Sequence, residues 1–184
     1  MYDSPEVLHR LLKTLSKAVS VYLAAQIAAG VDAIMVFDTW GGILTPSQYQ
    51  TFSLPYAEAA LKGIETPADG PDVPSILFTK GGGQWLSAMA DTGYDALGLD
   101  WTTDIRAARS EVGDRVALQG NLDPQALYAP IPALKEEVLK IIDRFGHGSG
   151  HIFNLGHGIT EHTPPEHVEV MLKTVREYSL QFHK

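Results

Sequence analysis

Three apolar runs begin at Ser75, Asp95 and Arg115, 20 residues apart, and each leads into a stretch with helical spacing. A period that short holds one strand, one helix and two tight loops, so it specifies a βα repeat. Two more runs extend the series, giving 33–37 (AIMVF), 75–79 (SILFT), 95–99 (DALGL), 115–119 (RVALQ) and 151–155 (HIFNL). All are close to continuously apolar, as strands are when helices cover both faces of a parallel sheet. The chain therefore reads as α/β with about five parallel strands and flanking helices. Two architectures use such units. A doubly wound sheet is satisfied by five strands, whereas a (β/α)8 barrel is left incomplete.

The helices carry their own punctuation. Ser4 is placed to cap a helix with Pro5 at its first position. Val7, Leu11, Leu12, Leu15, Val19, Tyr22 and Leu23 follow at helical spacing as its apolar face, and Gly30 ends it. Thr45-Pro46-Ser47-Gln48 and Thr163-Pro164-Pro165-Glu166 both read as capping boxes. Asp123-Pro124 opens a shorter helix, and residues 133–144 form another. The Pro/Gly-rich loop at 66–74 (TPADGPDVP) invites proteolysis but lies inside the repeat series, so residues 1–184 read as one domain.

Composition removes several classes of function. There are no cysteines, which excludes disulfides, thiolate zinc sites, cysteine nucleophiles and iron–sulfur ligation and fits a cytoplasmic protein. The net charge of −8 argues against non-specific binding to nucleic acid or anionic membranes, which depends on clustered Lys and Arg. No apolar run approaches the roughly 20 residues of a spanning helix. The opening MYDSPEVLHR lacks the basic and apolar segments of a secretory signal.

What favours the barrel is where the polar residues fall. In that fold, functional groups collect where strands run into the following loops. Here the exits read Asp38-Thr39-Trp40-Gly41-Gly42, Lys80-Gly81-Gly82-Gly83-Gln84-Trp85, Asp100-Trp101-Thr102-Thr103-Asp104, Gln119-Gly120-Asn121 and Gly156-His157-Gly158. Loop capping by Asp and Asn explains part of the pattern, but its recurrence at five exits points to a site. Lys80-Gly81-Gly82-Gly83 invites a phosphate-cradle reading, yet it lacks GxxxxGK[ST] and GxGxxG, and its Lys precedes the glycines. His151, His157, His162 and His167 cluster in sequence with gaps that fit no HExxH or HxH pattern, so no metal site is assigned. His162 and His167 read as solvated, and His151 as the start of a buried strand. His157, bracketed by glycines at a strand exit, is the candidate catalytic residue, as hydrogen-bond donor or proton carrier. Thr39 offers a hydroxyl to a substrate carboxylate or to a loop carbonyl. Trp40, Trp85 and Trp101 either wall a pocket for a flat ring system or plug the rim.

The segments VFDTWGG (36–42), LFTKGGGQW (77–85), ALGLDWTT (96–103), ALQGNLDP (117–124) and FNLGHG (153–158), with PPEHV at 164–168, resemble bacterial members of the uroporphyrinogen decarboxylase family in order and spacing. The resemblance spans essentially the whole chain but only about the C-terminal half of the family's length. It implies a (β/α)8 barrel, present here as an incomplete barrel, and 1–184 as the C-terminal part of that domain. It also implies a homodimer in the cytoplasm, no metal or organic cofactor, and a carboxy-lyase of haem biosynthesis that converts uroporphyrinogen III to coproporphyrinogen III. The family's substrate-contacting hydroxyl falls on Thr39 and its substrate-binding histidine on His157. Its catalytic Asp, Arg cluster and pocket Tyr belong to N-terminal motifs that these 184 residues do not contain. Neither Asp38 nor Asp100 takes the place of that Asp. Arg106, Arg109, Arg115, Arg144 and Arg176 are expected on helices or at a strand start, away from the exits. The chain alone is therefore expected to be inactive and to self-associate through open sheet edges. Other readings are a related barrel methyltransferase, disfavoured by the absence of cysteine, and a non-catalytic porphyrinogen- or anion-binding half-barrel.

Overall fold

The computed structural model describes residues 1–65 and 72–182. Residues 66–71, most of the Pro/Gly-rich loop expected at 66–74, lie outside them. The five strands are β1 (Ile34–Asp38), β2 (Ser75–Thr79), β3 (Ala96–Gly98), β4 (Ala117–Leu122) and β5 (His151–Leu155). The helices are α1 (Pro5–Ala28), α2 (Pro46–Phe52), α3 (Leu54–Lys62), α4 (Leu86–Ala90), α5 (Ile105–Val112), α6 (Ile131–Phe145) and α7 (Pro165–Tyr178). The strands are parallel and lie in one unclosed sheet in the order β1-β2-β3-β4-β5. A doubly wound sheet reverses its order at a switch point, and this one has none. That decides between the two architectures in favour of the (β/α)8 type.

The chain divides into two compact units, Met1–Lys80 with Ser87–Leu97 and Gly81–Leu86 with Gly98–Lys184. In the first, β1 pairs with β2 from Ile34↔Ser75 to Asp38↔Thr79. Leu23, Ile27 and Ile34 form a small buried cluster with Val31, Val36, Ile64 and Val73 against it. In the second, β4 pairs with β5 from Leu118↔His151 to Leu122↔Leu155. Its core is Leu122, Leu127, Leu134, Val138, Ile142 and Met171, drawn from β4, α6, α7 and the short 3-10 turn Pro124–Tyr128.

Several local expectations change. Pairing with β5 carries β4 through Leu122, so Gln119, Gly120 and Asn121 are rungs of the strand and the exit falls at Asp123. Thr45 and Gln48 form the full reciprocal capping box. At α7 the helix starts one residue later than expected, with Pro164 in the capping position, and Thr163 is buried with its hydroxyl 3.2 Å from that of Tyr128. Ser4 occupies the cap position of α1, but its hydroxyl donates to Asp3 at 3.1 Å instead of to a helix amide.

The larger correction concerns the apolar face of α1. Leu23 is buried, but Val7, Leu11, Leu15, Val19 and Tyr22 are exposed. The side turned inward carries Leu12, Ser16, Ser20, Leu23 and Ile27, about 100° around the helix. Ser20 explains the choice: its hydroxyl approaches Ala60 O at 2.8 Å and its own helix at Ser16 O at 2.9 Å. A Cβ on Gly63 would lie 2.5 Å from that hydroxyl, so small residues set a close α1–α3 crossing.

Candidate functional site

At the exits of β1 and β2, Asp38 is committed to the fold. Its carboxylate accepts from Ser53 Oγ at 2.5 Å and Thr79 Oγ1 at 3.5 Å, and Thr79 in turn meets the Tyr49 hydroxyl at 2.9 Å. A Cβ on Gly41 would fall 2.1 Å from the carboxylate, so glycine is what lets the exit fold back over Asp38. Burial pushes the Tyr49 hydroxyl up to about 12; the Thr79 hydrogen bond opposes this and the Asp38 charge adds to it. Thr39 follows, half-buried, and Trp40 stands 69% exposed with the Lys80 ammonium 6.0 Å from its ring centroid.

In the second unit Asp100 does similar work. It is 2% exposed and accepts from the Gly81 amide, the Thr102 amide at 2.9 Å and hydroxyl at 2.6 Å, and the Thr103 hydroxyl at 3.4 Å. Gly81, at φ 71°, turns its amide toward that carboxylate. The Gly81 amide thus holds the protein's own carboxylate, which removes that donor from a phosphate cradle. Asn121 Nδ2 donates to the carbonyls of Asp100 at 2.7 Å and Thr103 at 2.6 Å, tying β4 to the β3 exit.

His157 owes its position to the glycine before it. A Cβ on Gly156 would fall 2.2 Å from the Trp101 amide nitrogen, and the Gly156 amide donates to Leu122 O at 2.8 Å. The β5 exit therefore lies directly on the backbone of the β3 exit. This sets the exposed imidazole of His157 edge-on to Trp101, with centroids 5.8 Å apart and planes at 84°.

The other histidines go elsewhere. His151 stacks on Phe145 at 4.4 Å with Nε2 2.9 Å from Gly120 O, and His162 is at the surface beside Glu161. His167, expected to be solvated, is half-buried with Nδ1 2.8 Å from Leu127 O, which ties α7 to the 3-10 turn. Among the described residues no three His, Asp or Glu side chains gather as metal ligands. Of the tryptophans, Trp40 and Trp101 are open while Trp85 is buried in the core.

Two arginines are spent structurally. Arg109 lies 4.3 Å over the Phe145 ring and donates to the carbonyls of Phe145 and His147, and Arg144 pairs with Asp104. Burial alone would raise the Asp104 carboxyl. The Arg106 amide, the Arg144 guanidinium and the Ala107 amide outweigh it and hold the group below the ordinary carboxylate range. The sequence offered no signal for the Asp38–Ser53 bond or the Asp100–Gly81 bond, since each joins residues that only the tertiary fold makes neighbours.

Consecutive parallel βα units whose polar and aromatic residues sit at the strand exits define the (β/α)8 class of enzymes and binding proteins. The comparisons narrow this. The sequence model for uroporphyrinogen decarboxylase (URO-D) matches residues 1–178, and the chain belongs to that family. The uroporphyrinogen decarboxylase of Methylococcus capsulatus (strain Bath) is 60% identical over 184 residues, and that of Escherichia coli O81 is 58% identical over the same span. Both alignments cover 100% of this chain and 52% of the relative, so the chain spans about half the length of the curated relatives it matches. Among solved structures, a methyltransferase from Methanosarcina mazei superposes with a TM-score of 0.76 at 22% identity, covering 89% of this chain and 47% of that one. At that identity the likeness concerns the fold alone.

Proposed function

We propose that the chain is the C-terminal part of a cytoplasmic, homodimeric uroporphyrinogen decarboxylase of haem biosynthesis, and that Thr39 and His157 contact its substrate. The observation that carries this reading is identity of 58–60% along all 184 residues to relatives bearing that name. The exposed imidazole of His157, propped edge-on against Trp101 on a glycine-only backbone contact, supports the role given to it. No described helix is long and apolar enough to cross a membrane.

The substrate is a flexible macrocycle with four acetate and four propionate arms. Protonation of a pyrrole carbon next to an acetate arm makes that ring an iminium-like electron sink. The arm's C–CO2 bond then breaks, its electron pair flows into the ring, carbon dioxide leaves, and a proton completes the methyl group. The protein's task is to hold the macrocycle, favour the cationic ring and deliver protons. The Thr39 hydroxyl donates to a substrate carboxylate. His157 donates to another or passes a proton, as an exposed imidazole at the strand exit can. The arginines that grip the remaining carboxylates, and the carboxylate beneath the pyrrole N–H groups, lie in the N-terminal motifs of the family.

The test is decarboxylation by this chain joined to the N-terminal half of the Escherichia coli relative. The fusion is expected to release carbon dioxide from uroporphyrinogen. His157→Gln is expected to lower turnover by about 10²-fold or more, the ordinary worth of a general acid–base. Thr39→Val should raise KM several-fold. A folded fusion without activity, or His157→Gln with unaltered turnover and KM, overturns the respective assignment.

A further inference from the structure

We propose that Lys80 binds a substrate carboxylate together with Thr39: the ammonium supplies the charge and the hydroxyl a second hydrogen bond. This rests on the proposed function and names a residue that the family resemblance did not assign.

Asp38↔Thr79 is the last paired rung of β1 and β2, and Thr39 and Lys80 are the first residues beyond it, each opening a turn. Parallel neighbours in register lie about 4.8 Å apart and point to the same face. Asp38 and Thr79 face α2, bonded to each other, with Thr79 also bonded to Tyr49 of that helix. The opposite face carries Phe37 and Phe78, with rings meeting edge-on at 5.9 Å, and strand alternation carried one residue further assigns Thr39 and Lys80 to that side. Phe37 is exposed, so this face presents open aromatic surface two residues before Thr39. Both Thr39 and Lys80 are half-buried.

Across the exit segments 38–42, 80–85, 100–104, 119–123 and 156–158, Lys80 is the one Lys or Arg in a chain of net charge −8. Its Nζ stands 6.0 Å from the Trp40 ring centroid, beside the residue that follows Thr39. Contact with an indole strips part of the water from an ammonium and lays its stem across apolar surface. A carboxylate arriving there gains a charge-assisted hydrogen bond. Lysine suits a site that meets carboxylates in differing positions, because its donors rotate and its stem bends, unlike the fixed fork of arginine.

Trp40 is also the reporter for the test. This chain joined to the N-terminal half of the Escherichia coli relative, and the Lys80→Met and Lys80→Arg forms of that fusion, are titrated with uroporphyrin, the oxidised octacarboxylate, and quenching of tryptophan fluorescence is followed. Lys80→Met is expected to weaken binding about tenfold, as loss of one charge-assisted hydrogen bond does, with Lys80→Arg within about threefold of the unaltered fusion. Raising salt from ~50 to ~500 mM is expected to weaken binding by the unaltered fusion and to narrow its lead over Lys80→Met. Should the folded, unaltered fusion fail to bind, the proposed function falls and this assignment with it. Binding by the unaltered fusion that Lys80→Met matches overturns the Lys80 assignment alone. If Lys80→Met proves unfolded by circular dichroism, salt-insensitive binding by the unaltered fusion overturns the assignment in its place.

Discussion

Asp38 and Asp100 both stand at strand exits with their carboxylate oxygens taken by donors of the protein itself. Each closes a loop over its strand, and that structural use separates them from the exposed imidazole of His157. Tyr49 belongs to the Asp38 network and carries a pH signature. Its folded-state pKa is raised from 10.0 to about 12, mainly by burial. A raised folded pKa means that the unfolded chain ionises first. The stabilisation is therefore complete below pH 10 and is lost as pH climbs through about 12. Tyr94, buried with its hydroxyl on Ala57 O at 2.8 Å, is raised by burial and acts with the same sign. Tyr49→Phe should cost about 1 kcal/mol at pH 7 through the lost Thr79 hydrogen bond. Its stability should then decline more gently than that of the unaltered chain across the alkaline range. Urea denaturation of both proteins from neutral to strongly alkaline pH reads this directly, and parallel curves would contradict it.

At the scale of elements, the sequence read best where one strong local rule operated alone. The runs at 75–79 and 151–155 became β2 and β5 residue for residue, and the Thr45 capping box formed in full. It read least well where a neighbour decided. Pairing with β5 lengthened β4, and a second proline moved the start of α7. The close α1–α3 crossing chose the serine-bearing side of α1 over the more apolar one. Periodicity locates apolar stripes, but which stripe packs depends on how near the partner backbone comes, and that information is held by Ser20 and Gly63, small residues that a hydrophobic pattern passes over. The site divides in the same way. Thr39 and His157 were marked by strand-exit position and family motif, while the bonds that fix Asp38 and Asp100 needed the fold. The crossing yields a prediction. Ser20 is 2% exposed and its hydroxyl touches Ala60 O, so Ser20→Leu should overpack the α1–α3 contact. The expected loss is about 1–3 kcal/mol of unfolding free energy, whereas Ser20→Ala should cost about 1 kcal/mol. Equal stability of Ser20→Leu and the unaltered chain would show that the helices have room to part.

For the molecule as a whole, the unbroken strand order and the family assignment agree on a (β/α)8-type sheet, of which the described residues supply five strands. β1 and β5 are its edge strands, and the curated relatives are about twice as long as the chain. Apolar surface is open on the described residues. Leu11 and Leu15 are 53% and 51% exposed, with Val7 and Val19 above and below them at four-residue spacing, so α1 presents an apolar seam. Exposed seams and unpaired strand edges both drive association. The net charge of −8 opposes that drift, but Debye screening limits charge repulsion to about 10 Å at ordinary salt. The chain is therefore expected to elute as a dimer or larger species at micromolar concentration, more so as salt rises. Leu11→Glu/Leu15→Glu should shift it toward monomer while changing the unfolding free energy by no more than about 0.5 kcal/mol, since both side chains are open to solvent. Light scattering coupled to size exclusion distinguishes the sources of association. If the double variant remains associated to the same degree, the strand edges carry the contact. If the unaltered chain is monomeric with a cooperative melt, neither the seam nor the edges act as argued.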